Sequence, residues 1–311
     1  MQVSLILMKE IVMLFLILAM GMAVVRAKLM NASDSRSLSI VLVYIVIPCV
    51  IINAFQIKYT EDIRDGLILA FVMAAIVHII FLAVTAFFKR MLKLDEIERA
   101  TVIYSNAGIL VIPLVDALMG QEYIIYSCGF IVIQLILLWT HCRGMLCGDS
   151  RVSLKEIFTN VNIISIIIGA ALFLLHIELP DVIKGTLDMA GEMIGPLGML
   201  LAGMVIADTP LVKLFTTARN YLATFIRLIF YPVIVLAVFK LSGAADFVPD
   251  GKPVLMTVYL AAITPACAMI TTMAQLYNKD AAHASALYVV STLLSIITMP
   301  IMIGLFEELI N

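Results

Sequence analysis

Ten apolar runs, each long enough to cross a bilayer, are the feature that most constrains this chain. A spanning helix needs about 20 mostly apolar residues. The composition agrees, because 63% of the 311 residues are hydrophobic and only 14% are charged, whereas about a quarter are charged in soluble domains. We therefore predict an all-α polytopic membrane protein, with spans near residues 5–25, 38–56, 66–88, 101–119, 122–142, 157–176, 183–207, 217–240, 254–276 and 282–306.

The distribution of lysine and arginine predicts the orientation. Thirteen of these residues lie in or beside the odd-numbered loops and five in the even-numbered loops, so the positive-inside rule places the odd loops in the cytoplasm. The first run has no basic residue before it, and Arg26 and Lys28 follow it, which favours a retained first span over a signal peptide. We expect a multi-pass protein of the cell membrane with both termini extracellular.

Five spans precede a basic stretch and five follow it, which is the pattern of an inverted repeat. Pro48 and Pro113 are 65 residues apart in the first half, and Pro196 and Pro265 are 69 apart in the second. Prolines are common in membrane helices, so an accidental match is the alternative. The repeat divides the chain into a first half of spans one to five (1–142), a cytoplasmic linker (143–156) and a second half of spans six to ten (157–311).

Spans four and nine each contain residues that break helices. Span four carries Asn106-Ala107-Gly108 and then Pro113, and span nine carries Thr264-Pro265-Ala266. Within a bilayer, freed backbone groups are tolerated only where protein or a water-filled cavity covers them. Because proline suits the first turn of a helix, we expect Pro113 and Pro265 to begin second half-helices.

Two such helix N-termini, meeting near the midplane from opposite directions, would form an anion site. The amide of Asn106 could donate to a carboxylate without the cost of a buried charge, or it could instead cap the break or bond a neighbouring helix. The predicted substrate site comprises Asn106, Gly108, Pro113, Thr264 and Pro265. Asn53, five residues after Pro48, could face the same crossover or bond an adjacent helix.

Three charged residues are candidates for proton or ion coupling. Asp116 follows Pro113 by three residues, so it is either a proton or cation site or a structural carboxylate bonded to the freed N–H groups. Glu192 shares a helix face with Lys184 and Asp188, and it could line an external vestibule or belong to a solvated stripe of ion pairs. Arg227 lies in the middle of span eight, where it is functional or pairs with an acidic residue.

Several classes of site are disfavoured by what the sequence lacks. The four histidines show no metal-ligand spacing, no phosphate-binding glycine-rich loop occurs, and the five cysteines include no CxxC pair, so we expect no metal, no cofactor and no enzymatic activity. A coupling ion, H⁺ or Na⁺, is compatible with the intramembrane carboxylates. Membrane lipid and a small carboxylate are the expected partners, and nucleic acid is not.

Three stretches resemble the auxin efflux carrier family of permeases, which includes plant PIN-type auxin exporters and bacterial malate and malonate permeases. They are NAGILVIPL at 106–114, GPLGMLLAGMVIA at 195–207 and TPACAMITTMAQLYNKDAAHASALYVVSTLLSIITMPI at 264–301. The resemblance implies a fold similar to bile-acid sodium symporters and sodium/proton antiporters, with a scaffold domain, a transport domain and crossed fourth and ninth spans. It also implies elevator-like anion transport and a homodimer formed through scaffold helices.

By the same resemblance, Asn106 matches the asparagine that holds the substrate carboxylate, and Pro113 and Pro265 match the crossover prolines. Leu110 and Val111 depart from the family, in which many members have further glycines there. The function hypothesis is a secondary transporter of small carboxylates, either auxin-like or malate/malonate-like. A passive anion channel, a receptor and a membrane-embedded enzyme are the alternatives.

Overall fold

The computed structural model describes residues 2–148, 159–207 and 217–310. In these ranges the chain forms twelve main helices. They are α1 (Gln2–Arg26), α2 (Ala32–Ala54), α3 (Glu61–Met91), α4 (Glu96–Ile103), α5 (Ala107–Met119), α6 (Gln121–Cys147), α7 (Val161–Leu174), α8 (Asp181–Ala207), α9 (Ala218–Ser242), α10 (Gly251–Ile263), α11 (Met269–Leu276) and α12 (Ala281–Leu309).

The helices confirm the all-α membrane class. Six of the helices in the described ranges, α2, α3, α6, α8, α9 and α12, are long and apolar enough to cross a membrane. Four shorter apolar segments, Val12–Arg26, Ala107–Met119, Val161–Leu174 and Gly251–Ile263, coincide with predicted spans one, four, six and nine. The ten-span inverted repeat stays a prediction. Residues 149–156 of the predicted linker lie outside the described ranges.

The helices pack as two groups. Helices α1, α2, α7 and α8 pack mainly on one another, and we call them bundle A. Helices α3 to α6 and α9 to α12 form the second group, bundle B. The closest packing in bundle A joins α1 to α8, where a Cβ on Gly21 would lie 2.2 Å from the carbonyl oxygen of Leu200, and one on Gly203 would lie 1.9 Å from that of Leu18. Small residues permit such close backbone approach in membranes.

Bundles A and B meet where α5 lies against α8. If Gly198 of α8 had a Cβ atom, that atom would lie 2.3 Å from Cγ2 of Ile109. A Cβ atom on Gly195 would lie 3.3 Å from Cβ of Pro113. Ile109 therefore fills a notch in α8 that only glycine leaves open. This contact fixes the register of α5 against bundle A in the observed conformation.

A charged cluster closes bundle B where α3 ends and α4 and α9 begin. Arg219 binds both carboxylate oxygens of Glu98, and it also donates to the carbonyl oxygens of Leu92 at 2.9 Å and Lys93 at 2.5 Å. Ligand atoms of Asp95, Glu98 and His283 lie within 4.8 Å of one another. The guanidinium of Arg219 already pairs with the Glu98 carboxylate, and its positive charge disfavours binding of a metal cation to this cluster. The cluster instead acts as a clamp that joins the end of α3 to the beginnings of α4 and α9.

Candidate functional site

Spans four and nine cross at two short extended segments that interrupt their helices. Between α4 and α5, Asn106 donates its backbone N–H to the carbonyl oxygen of Pro265 at 2.8 Å. Between α10 and α11, Cys267 donates its N–H to the carbonyl oxygen of Tyr104 at 3.0 Å. These bonds flank an antiparallel bridge between Ser105 and Ala266. The two breaks thus satisfy part of each other's backbone, as a low-dielectric environment requires.

Two polar side chains complete the backbone pairing at the crossover. Gln134 on α6 accepts from the N–H of Ser105 at 3.0 Å and from its hydroxyl at 2.8 Å, and it donates to the Ser105 carbonyl oxygen at 2.9 Å. Ser291 on α12 accepts from the N–H of Ala266 at 3.1 Å. Neither residue was predicted from the sequence. A lone amide in an otherwise apolar fifth span was the available signal.

The breaks do not lie where the prolines predicted them. Pro113 is inside α5, which already begins at Ala107, and Pro265 lies in the extended segment before α11 begins at Met269. The prediction that these prolines start the second half-helices is therefore wrong. Pairing between the two crossing segments, rather than the missing proline N–H, decides where each helix ends.

Asn106 occupies the N-cap position of α5, and the residue is only 3% exposed. Its side chain makes no hydrogen bond to another residue in the described ranges. The donor and acceptor of this amide are therefore available to a ligand. Gly108 is partly exposed, and a Cβ added to it would meet nothing within 4 Å. Open space therefore adjoins the first turn of α5.

The second half of the crossover offers a related surface. Thr264 is fully buried, and its hydroxyl donates to the carbonyl oxygen of Ala261 at 3.0 Å, so this hydroxyl serves the end of α10. In the first turn of α11, the hydroxyl of Thr271 is buried and lacks a partner, and Thr272 is exposed. The first turn of α11 thus adds an unused hydroxyl, whereas the backbone N–H groups of Ile270 and Thr271 donate to the carbonyl oxygens of Cys267 and Ala268, each at 3.2 Å.

Leu110 and Val111, the bulky residues of the crossover, are buried in protein contacts. Val111 is fully buried, and Leu110 lines a small apolar cavity with residues of α1, α8 and α12, including Phe15 and Met199. These side chains therefore stabilise the junction of the bundles.

Arg227 lies against the opposite, carbonyl ends of the half-helices. It is completely buried, in a π-helical turn of α9 (Ile226–Phe230). Its guanidinium donates to the carbonyl oxygens of Val102 at 3.3 Å, Ile103 at 3.5 Å, Ala262 at 2.5 Å and Thr264 at 2.9 Å. The ion-pair alternative from the sequence is not observed, because no carboxylate in the described ranges lies within ion-pair distance of it.

Asp116, Asn53 and Glu192 belong to a different place. Asp116 is exposed near the C-terminal end of α5, roughly 14 Å along the helix from Ala107 at 1.5 Å per residue. Because Pro113 does not begin a half-helix, Asp116 does not lie in the first turn of one. The alternative of a structural carboxylate bonded to freed N–H groups is therefore wrong. The amide of Asn53 donates to Asp188 at 3.0 Å, as does that of Gln121 at 2.9 Å.

These residues form an acidic patch at the end of α5, which we define as Asp116, Glu122, Asp188 and Glu192. The other three carboxylates interact electrostatically with Asp116. Asn53 therefore reaches the patch through Asp188, and the structure brings it together with Asp116 and Glu192 instead of with Asn106. The hydrogen bond from Gln121 to Asp188 joins bundle B to bundle A.

Comparison with known proteins agrees with this architecture. A family described as membrane transport protein matches residues 6–150 and 147–303, which is nearly the whole chain. A search of curated proteins finds no match. The chain therefore belongs to the membrane transport protein family, that of the auxin efflux carriers, whose members are transporters.

Proposed function

We propose that this protein is a secondary transporter of small organic carboxylate anions, auxin-like or malate/malonate-like. The observation that carries the proposal is the largely buried Asn106 at the N-terminus of α5, whose amide makes no hydrogen bond to a described residue and which lies beside the open space at Gly108. A carboxylate is the ligand that best uses an amide donor together with the N–H groups of a helix N-terminus.

The anion lies between the first turns of α5 and α11 in this proposal. Both N-termini carry partial positive charge, and the unused hydroxyl of Thr271 supplies a further donor. Pro113 and Pro265 act indirectly, Pro113 through its packing against Gly195 and Pro265 through its bond to Asn106. Of the residues predicted from the sequence, Asn106 and Gly108 are therefore the ones that contact substrate.

Transport proceeds by an elevator-type movement, in which bundle B carries the site past bundle A. The contact of Ile109 with Gly198 supports this assignment, because one side chain seated in a shallow notch can leave it without unpacking either bundle. Bundle A corresponds to the scaffold and supplies the surface for a homodimer. The protein lies in the cell membrane with both termini outside.

Coupling to H⁺ or Na⁺ is assigned to the acidic patch. Asp116 and Glu192 carry like charges next to Asp188 at the junction of the bundles. A bound cation relieves their repulsion, so occupancy of the patch and position of bundle B are linked. Asp116→Asn should therefore abolish the dependence of uptake on the ion gradient while leaving substrate exchange across equal gradients intact.

The decisive test is flux of labelled malate, malonate or indole acetate into proteoliposomes. Asn106→Ala should reduce uptake at least tenfold. Asn162→Ala is the matched control, because Asn162 is a similarly buried asparagine. It lies on α7 of bundle A, away from the crossover, and its substitution should not reduce uptake. Unchanged uptake in Asn106→Ala would remove this residue from the site. Conductance far above carrier turnover in planar bilayers would instead identify an anion channel.

A further inference from the structure

The buried Arg227 side chain lies at the crossover, against the C-terminal ends of two half-helices. Two half-helices, α4 and α10, end there, and their last carbonyl groups have no partner within the helix. The oxygens that Arg227 binds belong to these ends, Val102 and Ile103 from α4, and Ala262 and Thr264 from α10. One side chain thus joins the carbonyl ends of both half-helices.

The amides that would normally bind these carbonyl groups are used elsewhere. In a continuous helix, Val102 would accept from Asn106 and Ala262 from Ala266. Asn106 donates instead to Pro265, and Ala266 donates to Ser291. The guanidinium, with five N–H donors in a rigid fork, therefore replaces amides that the crossing has taken away.

Arg227 is held in this position by its surroundings. Its guanidinium carbon lies 5.4 Å from the centre of the Phe81 ring. Phe81 in turn stacks on Tyr231 at 4.5 Å, and the Tyr231 hydroxyl donates to the Phe81 carbonyl oxygen at 3.1 Å. The positive charge is thus fixed against aromatic faces, and no carboxylate in the described part of the chain neutralises it.

The charges at the crossover can be summed. A helix carries roughly half a positive charge at its N-terminus and half a negative charge at its C-terminus. The two N-termini and two C-termini at the crossing therefore cancel. A guanidinium on the C-terminal side offsets about one negative charge, and the N-termini of α5 and α11 are left with about one net positive charge.

We propose that Arg227 is the positioning residue that makes the crossover electropositive, and that it thereby selects a ligand bearing a single negative charge over its neutral analogue. The identity of the ligand rests on the proposed function, but the electrostatic potential does not. Arg227 acts through the helix ends and does not itself contact the substrate.

The potential can be measured without any substrate. In a background with the five native cysteines replaced by alanine, Gly108→Cys places a thiol beside the N-terminus of α5, where the added side chain meets no neighbour within 4 Å. The rate of its modification by an anionic reagent, sulfonatoethyl methanethiosulfonate, is divided by the rate with the cationic trimethylammonioethyl reagent. Thr272→Cys on the exposed part of α11 provides a second reporter.

Arg227→Gln should lower this ratio on the order of tenfold or more at both reporters, because one unit of charge is lost in a low-dielectric environment. Arg227→Lys keeps the charge without the fork, and it should hold the ratio within about threefold even where the melting temperature falls. Thr224→Val, a buried substitution on the same helix at a hydroxyl without a partner in the described residues, controls for general loosening and should leave the ratio unchanged.

An unchanged ratio in folded Arg227→Gln would overturn the proposal. A ratio that falls in Arg227→Lys as far as is expected for Arg227→Gln would also overturn the proposal. This second variant keeps the test decisive if Arg227→Gln does not fold. A normal response of the ratio, together with no carboxylate uptake by protein that keeps the native Gly108, would refute the proposed function and leave this inference standing.

Discussion

The backbone N–H of Asn106 donates to the carbonyl oxygen of Pro265 across 2.8 Å, and this bond joins the two halves of the sequence where each interrupts a helix. Residues 159 positions apart in the chain (265 − 106) thereby become neighbours in the membrane interior. Because this N–H group is used here, the carbonyl group of Val102 is left to accept from Arg227.

Removing the amide of Gln134 should destabilise the crossover. In Gln134→Leu, the three hydrogen bonds between Gln134 and Ser105 are lost. The buried backbone N–H and carbonyl groups of Ser105 then have no other hydrogen-bond partner. We expect a loss of about 2–4 kcal/mol, because each unsatisfied buried group costs about 1–3 kcal/mol. Thermal unfolding in detergent measures it. Gln56→Leu, which removes one bond from the N–H of Leu179, should cost about 1 kcal/mol, and equal losses in the two variants would contradict the prediction.

The contact of α1 with α8 should not tolerate a methyl group. In Gly203→Ala the new Cβ would lie 1.9 Å from the carbonyl oxygen of Leu18, so the helices must separate, at a cost of about 1–3 kcal/mol or more. Gly185→Ala is the matched control, since its Cβ would meet nothing within 4 Å. The control should be neutral or slightly stabilising. Similar melting temperatures for both variants would show that the close approach is absent.

Gly108→Ala should separate stability from function. The added methyl group meets no protein atom within 4 Å, and Gly108 is helical, so the melting temperature should be unchanged or slightly higher. Because the methyl group occupies the space assigned to the substrate, carboxylate uptake into proteoliposomes should fall several-fold. Full uptake with an unchanged melting temperature would move the substrate away from the first turn of α5.

The clamp between Glu98 and Arg219 should contribute a defined pH dependence. Burial alone raises the pKa of Glu98, which precedes the predicted fourth span. The imidazole of His283, with Nε2 3.9 Å from the carboxylate, and hydrogen bonds from Arg219 and the Asp95 backbone outweigh burial and lower that pKa from 4.5 to about 2. A carboxylate with a lowered folded-state pKa stabilises the fold above its unfolded pKa, and this stabilisation is lost as pH falls. Stability should therefore decrease between about pH 4.5 and about pH 2.

Glu98→Gln should lower the melting temperature at neutral pH and remove this part of the pH dependence. Glu61→Gln is the control, because the Glu61 side chain is 82% exposed and should leave the profile unchanged. Melting curves in detergent from pH 2 to pH 6 distinguish the two. A wild-type slope that persists in Glu98→Gln would assign the acid sensitivity to another carboxyl group.

Helix positions were accessible from the sequence because hydropathy is a local property. The apolar runs predicted the helices, and the helix-breaking residues located two interruptions to within one or two turns, with Asn106 beside the first. The prolines were misleading as markers of helix starts. A proline inside a membrane helix is tolerated when neighbours cover the freed carbonyl group, and Pro113 is packed against Gly195.

The sequence by itself determined that this chain is an all-helical membrane protein of a transporter family, because burial in lipid demands long apolar helices and the family motifs are contiguous. Tertiary structure alone decided what the polar residues contact. Arg227 binds four carbonyl groups from two distant helix ends, Gln134 replaces the lost partners of Ser105, and Gln121 donates to Asp188 of bundle A. These partners are more than 25 residues apart, and only the folding of one helix against another brings them together.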